Sequence, residues 1–247
     1  MIGVFDSGLG GLSAFLTLAR ALPRTDLVYY ADTAHLPLGE KSEKEICSLV
    51  RDGVRFLARK GASHVLLACG TASAIALPKC KEMFAFPVCG IIEAGCNAAF
   101  SASETGRIAV IATPATVASH AYALGIRALR PDAHVTELAC PALVAAAEMC
   151  DTSCVRRVLA PLSACDADTL ILGCTHFPIL RKAIEEMFPA IRLIDPAALA
   201  ANETVLLLGT KAPCEGGTRA LFTTGDPCLF ARRAEAAFGC RLPVEAV

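Results

Sequence analysis

The sequence predicts an α/β fold: two similar, pseudo-symmetric three-layer units with mostly parallel sheets and an active-site cleft between them. Three observations predict it. Short β-branched runs alternate with helical stretches almost throughout, the pattern of parallel strands joined by covering helices. The 247 residues are 54% hydrophobic with a mean hydropathy of +0.52, ample material for sheets buried on both faces. The chain also resembles itself at a nearly constant offset.

Strands are expected at 2–5, 27–32, 64–69, 88–92, 108–113, 134–139, 168–173, 190–194 and 219–224. The helical stretch "LSAFLTLARAL" follows the first. "EKEICSLVRDGVRFLARK" lies between the second and third; Ser42 before it and Glu45 within it form a capping box, and Gly61 supplies the stop. "IGVFDSGLGGL" from Ile2 aligns with "IAVIATPATV" from Ile108, an offset of 106. "HVLLACGTAS" and "DTLILGCTHFP" set Cys69 against Cys174, an offset of 105. The unit boundary is expected in a loop, "CNAAFSASETGR", with strand 219–224 and helix 228–238 returning to complete the first unit. The domains are therefore 1–93 with 207–247, and 94–206.

Composition narrows the function. The formal net charge is −1 and the basic residues are scattered, so there is no footprint for nucleic acid or an anionic membrane. Apolar stretches break well before the ~18 residues needed to span a bilayer. Met1 leads straight into the strand-like Ile2-Gly3-Val4-Phe5, so the expected location is cytoplasmic. Thirteen cysteines contain no C-x-x-C pair, the nearest two being Cys150 and Cys154, so no metal site is expected. Most of these thiols (Cys80, Cys96, Cys165 and Cys228 among them) read as small hydrophobes.

In parallel sheets, ligands bind beyond the carboxyl ends of the strands. That rule selects Asp6 and Ser7 after the first strand, and Pro37-Leu38-Gly39 after the second. Cys69-Gly70-Thr71 ends the third. In the second unit it selects Thr113 and Thr116, Cys140-Pro141, and Cys174-Thr175-His176. With the units facing each other, two thiols meet across a cleft flanked by Asp6 and His176. Each residue also has a plainer reading. "DSGLGG" serves equally as a turn with Asp6 or Ser7 capping the next helix, Cys174 and His176 as core, and Glu148 as a solvated charge. The glycines are not a dinucleotide fingerprint, because Ser13 stands where the last glycine belongs. No Gly-Lys-Ser/Thr follows to make a phosphate loop, and Phe5 rules out a nucleophile elbow.

These stretches together resemble the glutamate racemases, within the cofactor-independent aspartate/glutamate racemase superfamily. "FDSGLGG", "ADTAHLPLGEKS" and "LLACGTAS" are similar to the family's first-domain motifs, and "IATPATVASHAY", "ACPALVAAAE" and "LILGCTHFP" to its second-domain motifs. In order they span residues 2 to 178. The resemblance implies two α/β domains sharing one site, no cofactor and no metal. Its partner is a small-molecule amino acid, with a homodimer possible. Cys69 and Cys174 become the acid/base pair, Asp6 and His176 their assistants, and Glu148 a support for His176. Ser7, Leu38, Gly39, Gly70, Thr71, Thr113, Thr116 and Thr175, with Asp6 and His176, fall in the substrate site. The implied reaction interconverts L- and D-glutamate and supplies the D-isomer for peptidoglycan.

That chemistry suits these side chains. Racemisation takes a proton from one face of the α-carbon and returns one to the other, so it needs two groups on opposite sides. Thiol and thiolate provide them, with roles that swap with substrate hand. A free Cys has a pKa of about 8.5, so the attacking sulfur needs a base or a positive field. His176, two residues from Cys174, or the N–H groups at helix starts are the candidates to supply it, whereas the charge of Asp6 opposes it. Asp6 is therefore left to accept a proton or bind the substrate ammonium.

Two positions depart from the family pattern. Gly70 stands where asparagine follows the first cysteine, and Leu38 where tyrosine lies between proline and glycine. Each loses a polar substrate contact. The alternatives are therefore a racemase for another acid such as aspartate, a metal-binding protein using Asp6, Cys69, Cys174 and His176, and a silent amino-acid-binding protein.

Overall fold

Helices cover both faces of every central strand, so the strands are almost continuously apolar rather than alternating. The computed structural model describes residues 1–208 and 216–247; residues 209–215, within the expected 207–247 segment, lie outside the described residues. In chain order the first elements are β1 (Ile2–Asp6), α1 (Leu12–Ala21), β2 (Leu27–Ala31), α2 (Glu43–Arg59), β3 (His64–Leu67), α3 (Gly70–Ile75), α4 (Leu77–Met83), β4 (Val88–Gly90) and α5 (Ile92–Ala102). The second series is β5 (Arg107–Ala112), α6 (Pro114–Ser119), α7 (Ala121–Leu129), β6 (His134–Ala139), α8 (Pro141–Glu148), α9 (Val155–Leu159), β7 (Thr169–Leu172), α10 (Arg181–Met187) and β8 (Arg192–Ile194). The chain closes with α11 (Pro196–Leu208), β9 (Arg219–Thr223), α12 (Pro227–Phe238) and β10 (Val244–Ala246).

Two all-parallel sheets result, ordered β10-β9-β2-β1-β3-β4 and β6-β5-β7-β8. The run β2-β1-β3-β4 repeats the run β6-β5-β7-β8 strand for strand. His64–Leu67 and Thr169–Leu172 stand 105 apart (169 − 64), the offset of the two cysteines. The repeat extends to side-chain parity. Val65, Leu67 and Cys69 share one core face of the first sheet, as Leu170, Leu172 and Cys174 share one face of the second. Each thiol thus continues an apolar row to the point where its strand stops.

The nine expected strands are all present. The tenth, β10, pairs at the edge with β9 over three residues, and its short Val244–Ala246 segment carries no alternation long enough to read. The expected boundary loop is a correction: residues 92–102 are helical. Ala94, Gly95, Cys96 and Ala99 form a buried face of small side chains against α7 and α11, and that packing overrides the weak helix propensity of Gly and Ser. The break lies at 103–106. The helix after Ser42 has the expected capping box, with Ser42 Oγ accepting from the Glu45 N–H and Glu45 from the Ser42 N–H. Among the described residues, no helix is long and apolar enough to cross a membrane.

Candidate active site

The carboxyl ends of the two sheets face each other, and backbone meets backbone at the seam. A Cβ on Gly70 would lie 2.1 Å from the Gly173 carbonyl oxygen. A Cβ on Gly10 would lie 2.4 Å from the Thr175 carbonyl carbon. Only glycine allows these approaches, since real Cβ contacts are never so short. Glycine at 70 is therefore what lets the Cys69 turn close against the turn that carries Cys174.

The cleft is lined by Ser7, Pro37, Leu38, Gly39, Cys69, Thr71, Thr113, Pro141, Cys174 and His176, all expected from the sequence, together with Leu36, Glu40, Pro114 and Val144. Its cavity is small, about 20 Å3, room for about one water molecule. Asp6, Gly70, Thr116, Thr175 and Glu148 do not line it; they stand one layer behind. The reason is visible in their bonds. Asp6 is wholly buried, its Oδ1 accepting the Gly8 N–H at 2.8 Å and its Oδ2 the Thr175 hydroxyl at 3.0 Å. It caps no helix: α1 starts after Gly11 with no side-chain cap. Thr116 bonds Thr113 at 2.9 Å, and Thr113 bonds Thr71 at 2.9 Å across the cleft, a hydroxyl chain that also caps α6. Leu38 is buried and packs with Cys69 and Ala72 as part of an apolar wall.

The two thiols have different neighbours. Cys69 Sγ lies 3.5 Å from Ser7 Oγ. Burial and the nearby Asp6 carboxylate push its pKa up to about 12, with the Ser7 bond only partly offsetting them. Burial also raises the Asp6 carboxyl above the usual range, against the pull of His176 and its hydrogen bonds. Cys174 Sγ lies 3.6 Å from His176 Nδ1, and His176 Nε2 donates to Glu148 Oε1 at 2.6 Å. A carboxylate can only accept, so Nε2 carries hydrogen and Nδ1 is free to exchange a proton with the sulfur. Burial works to lower the His176 pKa, but its bonds to Cys174 and Glu148 win and raise it well above the ordinary value. Glu148 shows the converse balance. Burial disfavours its charge, yet the His176 bond and the His176 and Arg233 charges hold it ionised below the usual carboxylate range.

Arg233 was not legible in the sequence. It donates to Glu148 Oε2 at 2.8 Å from α12, 85 residues further on, and no local motif marks it. Among the described residues no group of three or more His, Cys, Asp or Glu is arranged to hold a metal ion. The four residues of the metal-binding alternative are divided between the cleft surface and the layer behind it.

A duplicated parallel α/β architecture, with its chemistry gathered where facing strands end, defines a two-lobed class of proteins with an interlobe site. Solved structures share it closely. A glutamate racemase isoform from Bacillus anthracis superposes with a TM-score of 0.92 at 33% identity, covering 100% of this chain and 97% of that one. The glutamate racemase of Francisella tularensis, solved in complex with D-glutamate, gives 0.91 at 31% identity, covering 99% and 95%. The glutamate racemase of Gloeobacter violaceus is 43% identical over 95% of this chain and 91% of its own length. The Asp/Glu/Hydantoin racemase family matches residues 12–204, and the chain belongs to that family of isomerases.

Proposed function

We propose that this chain interconverts L- and D-glutamate without a cofactor, using Cys69 and Cys174 as its two acid/base groups. The observation that carries the reading is the placement of both thiols at matching strand ends on one cleft, each with its own proton partner. Relatives named glutamate racemase, alike over nearly the whole chain, support the substrate.

The mechanism follows from the neighbours. At rest Cys69 holds its proton, because a thiol pushed up to about 12 is neutral at physiological pH. Cys174 passes its proton to His176, whose charge Glu148 compensates. The thiolate of Cys174 then removes the α-proton from one enantiomer while Cys69 delivers its own to the opposite face. For the other enantiomer the sulfurs exchange roles. Ser7, Thr71 and Thr113 offer hydroxyls to the substrate's polar groups, and the substrate ammonium brings positive charge that favours a thiolate at Cys69. Since the cavity holds about one water, the lobes part to admit substrate. Their closure expels water, which strengthens every electrostatic contact at the reacting carbon. D-glutamate made this way would serve peptidoglycan synthesis, a cytoplasmic role.

A second reading keeps the reaction and changes the acid. Leu38 presents an apolar wall where the family pattern has a tyrosine hydroxyl, and losing a bond to a charged group costs about 1.5–3 kcal/mol. Aspartate is then the acid to compare. Polarimetry on a panel of D- and L-amino acids, with no metal or pyridoxal phosphate added, separates the two. Glutamate as the best substrate supports the first reading, aspartate the second, and no optical change with any acid overturns both.

A further inference from the structure

Four side chains from three elements form one hydrogen-bonded line leading out of the cleft. Cys174 meets His176 at 3.6 Å, His176 meets Glu148 at 2.6 Å, and Glu148 meets Arg233 at 2.8 Å. Side-chain exposure rises along the line, from 2% at His176 through 11% at Glu148 to 38% at Arg233. Arg233 does not line the cleft, so it touches no substrate. It sits on α12, whose Phe230 and Ala234 are buried in the core of the first sheet, whereas Glu148 ends α8 on the second. The ion pair therefore ties the two lobes through the proton partner of one thiol. Among the described residues Cys69 has no equivalent line; its side-chain partner is Ser7.

We infer that Arg233 is a positioning residue for the Cys174 half of the reaction, holding the Glu148 carboxylate in the orientation and charge state that let His176 take and return the Cys174 proton. The inference rests on the two-cysteine reading. Glu148 Oε1 is directed at Nε2 and Oε2 at Arg233, with a backbone bond from Leu9 as a further partner. Without Arg233 the carboxylate loses its outer anchor, and its charge beside the buried imidazole is left half-compensated. The other charged or titratable groups around this pair, among the described residues, are Arg232 and Cys150, which share the outer groove, and Asp6 and Tyr29 on the inner side.

Arg233→Gln should lower kcat by up to about tenfold, no further than loss of the Glu148 charge itself because Arg233 acts only through Glu148, with the KM for the amino acid unchanged within about twofold. Removing the Arg233 charge raises the Glu148 pKa, so the acid limb of the kcat profile moves to higher pH. Arg233→Lys should recover most of kcat. Arg232→Gln, which removes the same charge from the same helix without a Glu148 bond, should leave kcat unchanged. In a Glu148→Gln background, Arg233→Gln should cost nothing further, because the two act as one unit. Parental kcat in Arg233→Gln, a rise in KM at constant kcat, or additive losses in the double variant would each overturn the inference. Cys174→Ser measured alongside distinguishes the failures: full activity there removes the two-cysteine reading itself, whereas an inactive Cys174→Ser with a normal Arg233→Gln removes only the role of Arg233.

Discussion

Cys69 and Cys174 occupy the same place in the two halves of the molecule and live in opposite electrostatic surroundings. Each extends an apolar row beyond a central parallel strand, at an offset the backbone repeats. One faces Ser7 with a buried carboxylate behind it and keeps its proton; the other faces an imidazole backed by Glu148 and Arg233. On the proposed two-cysteine reading, the duplicated backbone would aim two groups at one carbon from opposite sides, and the side chains around it, which do not repeat, would assign the proton.

The largest expected effects break the pair. Cys69→Ser and Cys174→Ser should each lower racemisation by about 10²–10⁴-fold, the range of a lost general acid or base, measured by polarimetry in both directions. Next is the seam that brings the thiols together. Gly70→Ala places a methyl 2.1 Å from the Gly173 oxygen, so the lobes must shift. A misplacement of that kind costs up to about 10²-fold, read as a fall in kcat with little change in melting temperature. The same contact predicts that Gly70→Asn, which restores the residue of the family pattern, weakens catalysis rather than improving the glutamate site.

A smaller effect sharpens the electrostatic contrast. Glu148→Gln removes a bond and a charge that raise the His176 pKa, so the imidazolium is lost at lower pH. The basic limb of the rate profile should move down in pH, with kcat reduced about tenfold. The smallest concerns the far ends of the strands, away from the chemistry. Asp168 accepts bonds from Ser103, Thr105 and Thr169 at 2.7–2.9 Å. Burial opposes its charge, but those bonds hold its pKa at about 2. A depressed carboxyl stabilises the fold above its unfolded value of about 3.9 and loses that contribution as pH falls toward 2. Asp168→Asn should therefore cost about 1 kcal/mol at neutral pH after allowing for solvent screening, nothing near pH 2, and leave kcat unchanged.

Much of this was legible in the sequence, for identifiable reasons. Buried parallel strands are continuous apolar runs, so nine were readable, and a thiol or carboxylate at the end of such a run is conspicuous. Residues 96–102, the first part of the loop expected over 96–107, are helical instead: their Asn and Ser resemble a loop until α7 and α11 close over Cys96 and Ala99. Asp6 and Thr175 were read as facing the cleft, but they bond to each other instead, and a sequence carries no record of which way a polar side chain turns. Gly70 was read as a lost hydrogen bond; its meaning lies in the Gly173 carbonyl, 103 residues away (173 − 70). Arg233 was invisible because its pairing with Glu148 is made only by the tertiary fold.

Isotope uptake tests most directly whether the two thiols act from opposite faces. L-glutamate is incubated in D2O with the protein and stopped early, and deuterium at the α-carbon is measured in each enantiomer. Two bases on opposite faces predict that the D-glutamate formed carries solvent deuterium while the unreacted L-glutamate remains largely protiated. Equal deuterium in both enantiomers from the first turnovers, or D-glutamate that keeps the original hydrogen, would contradict the account.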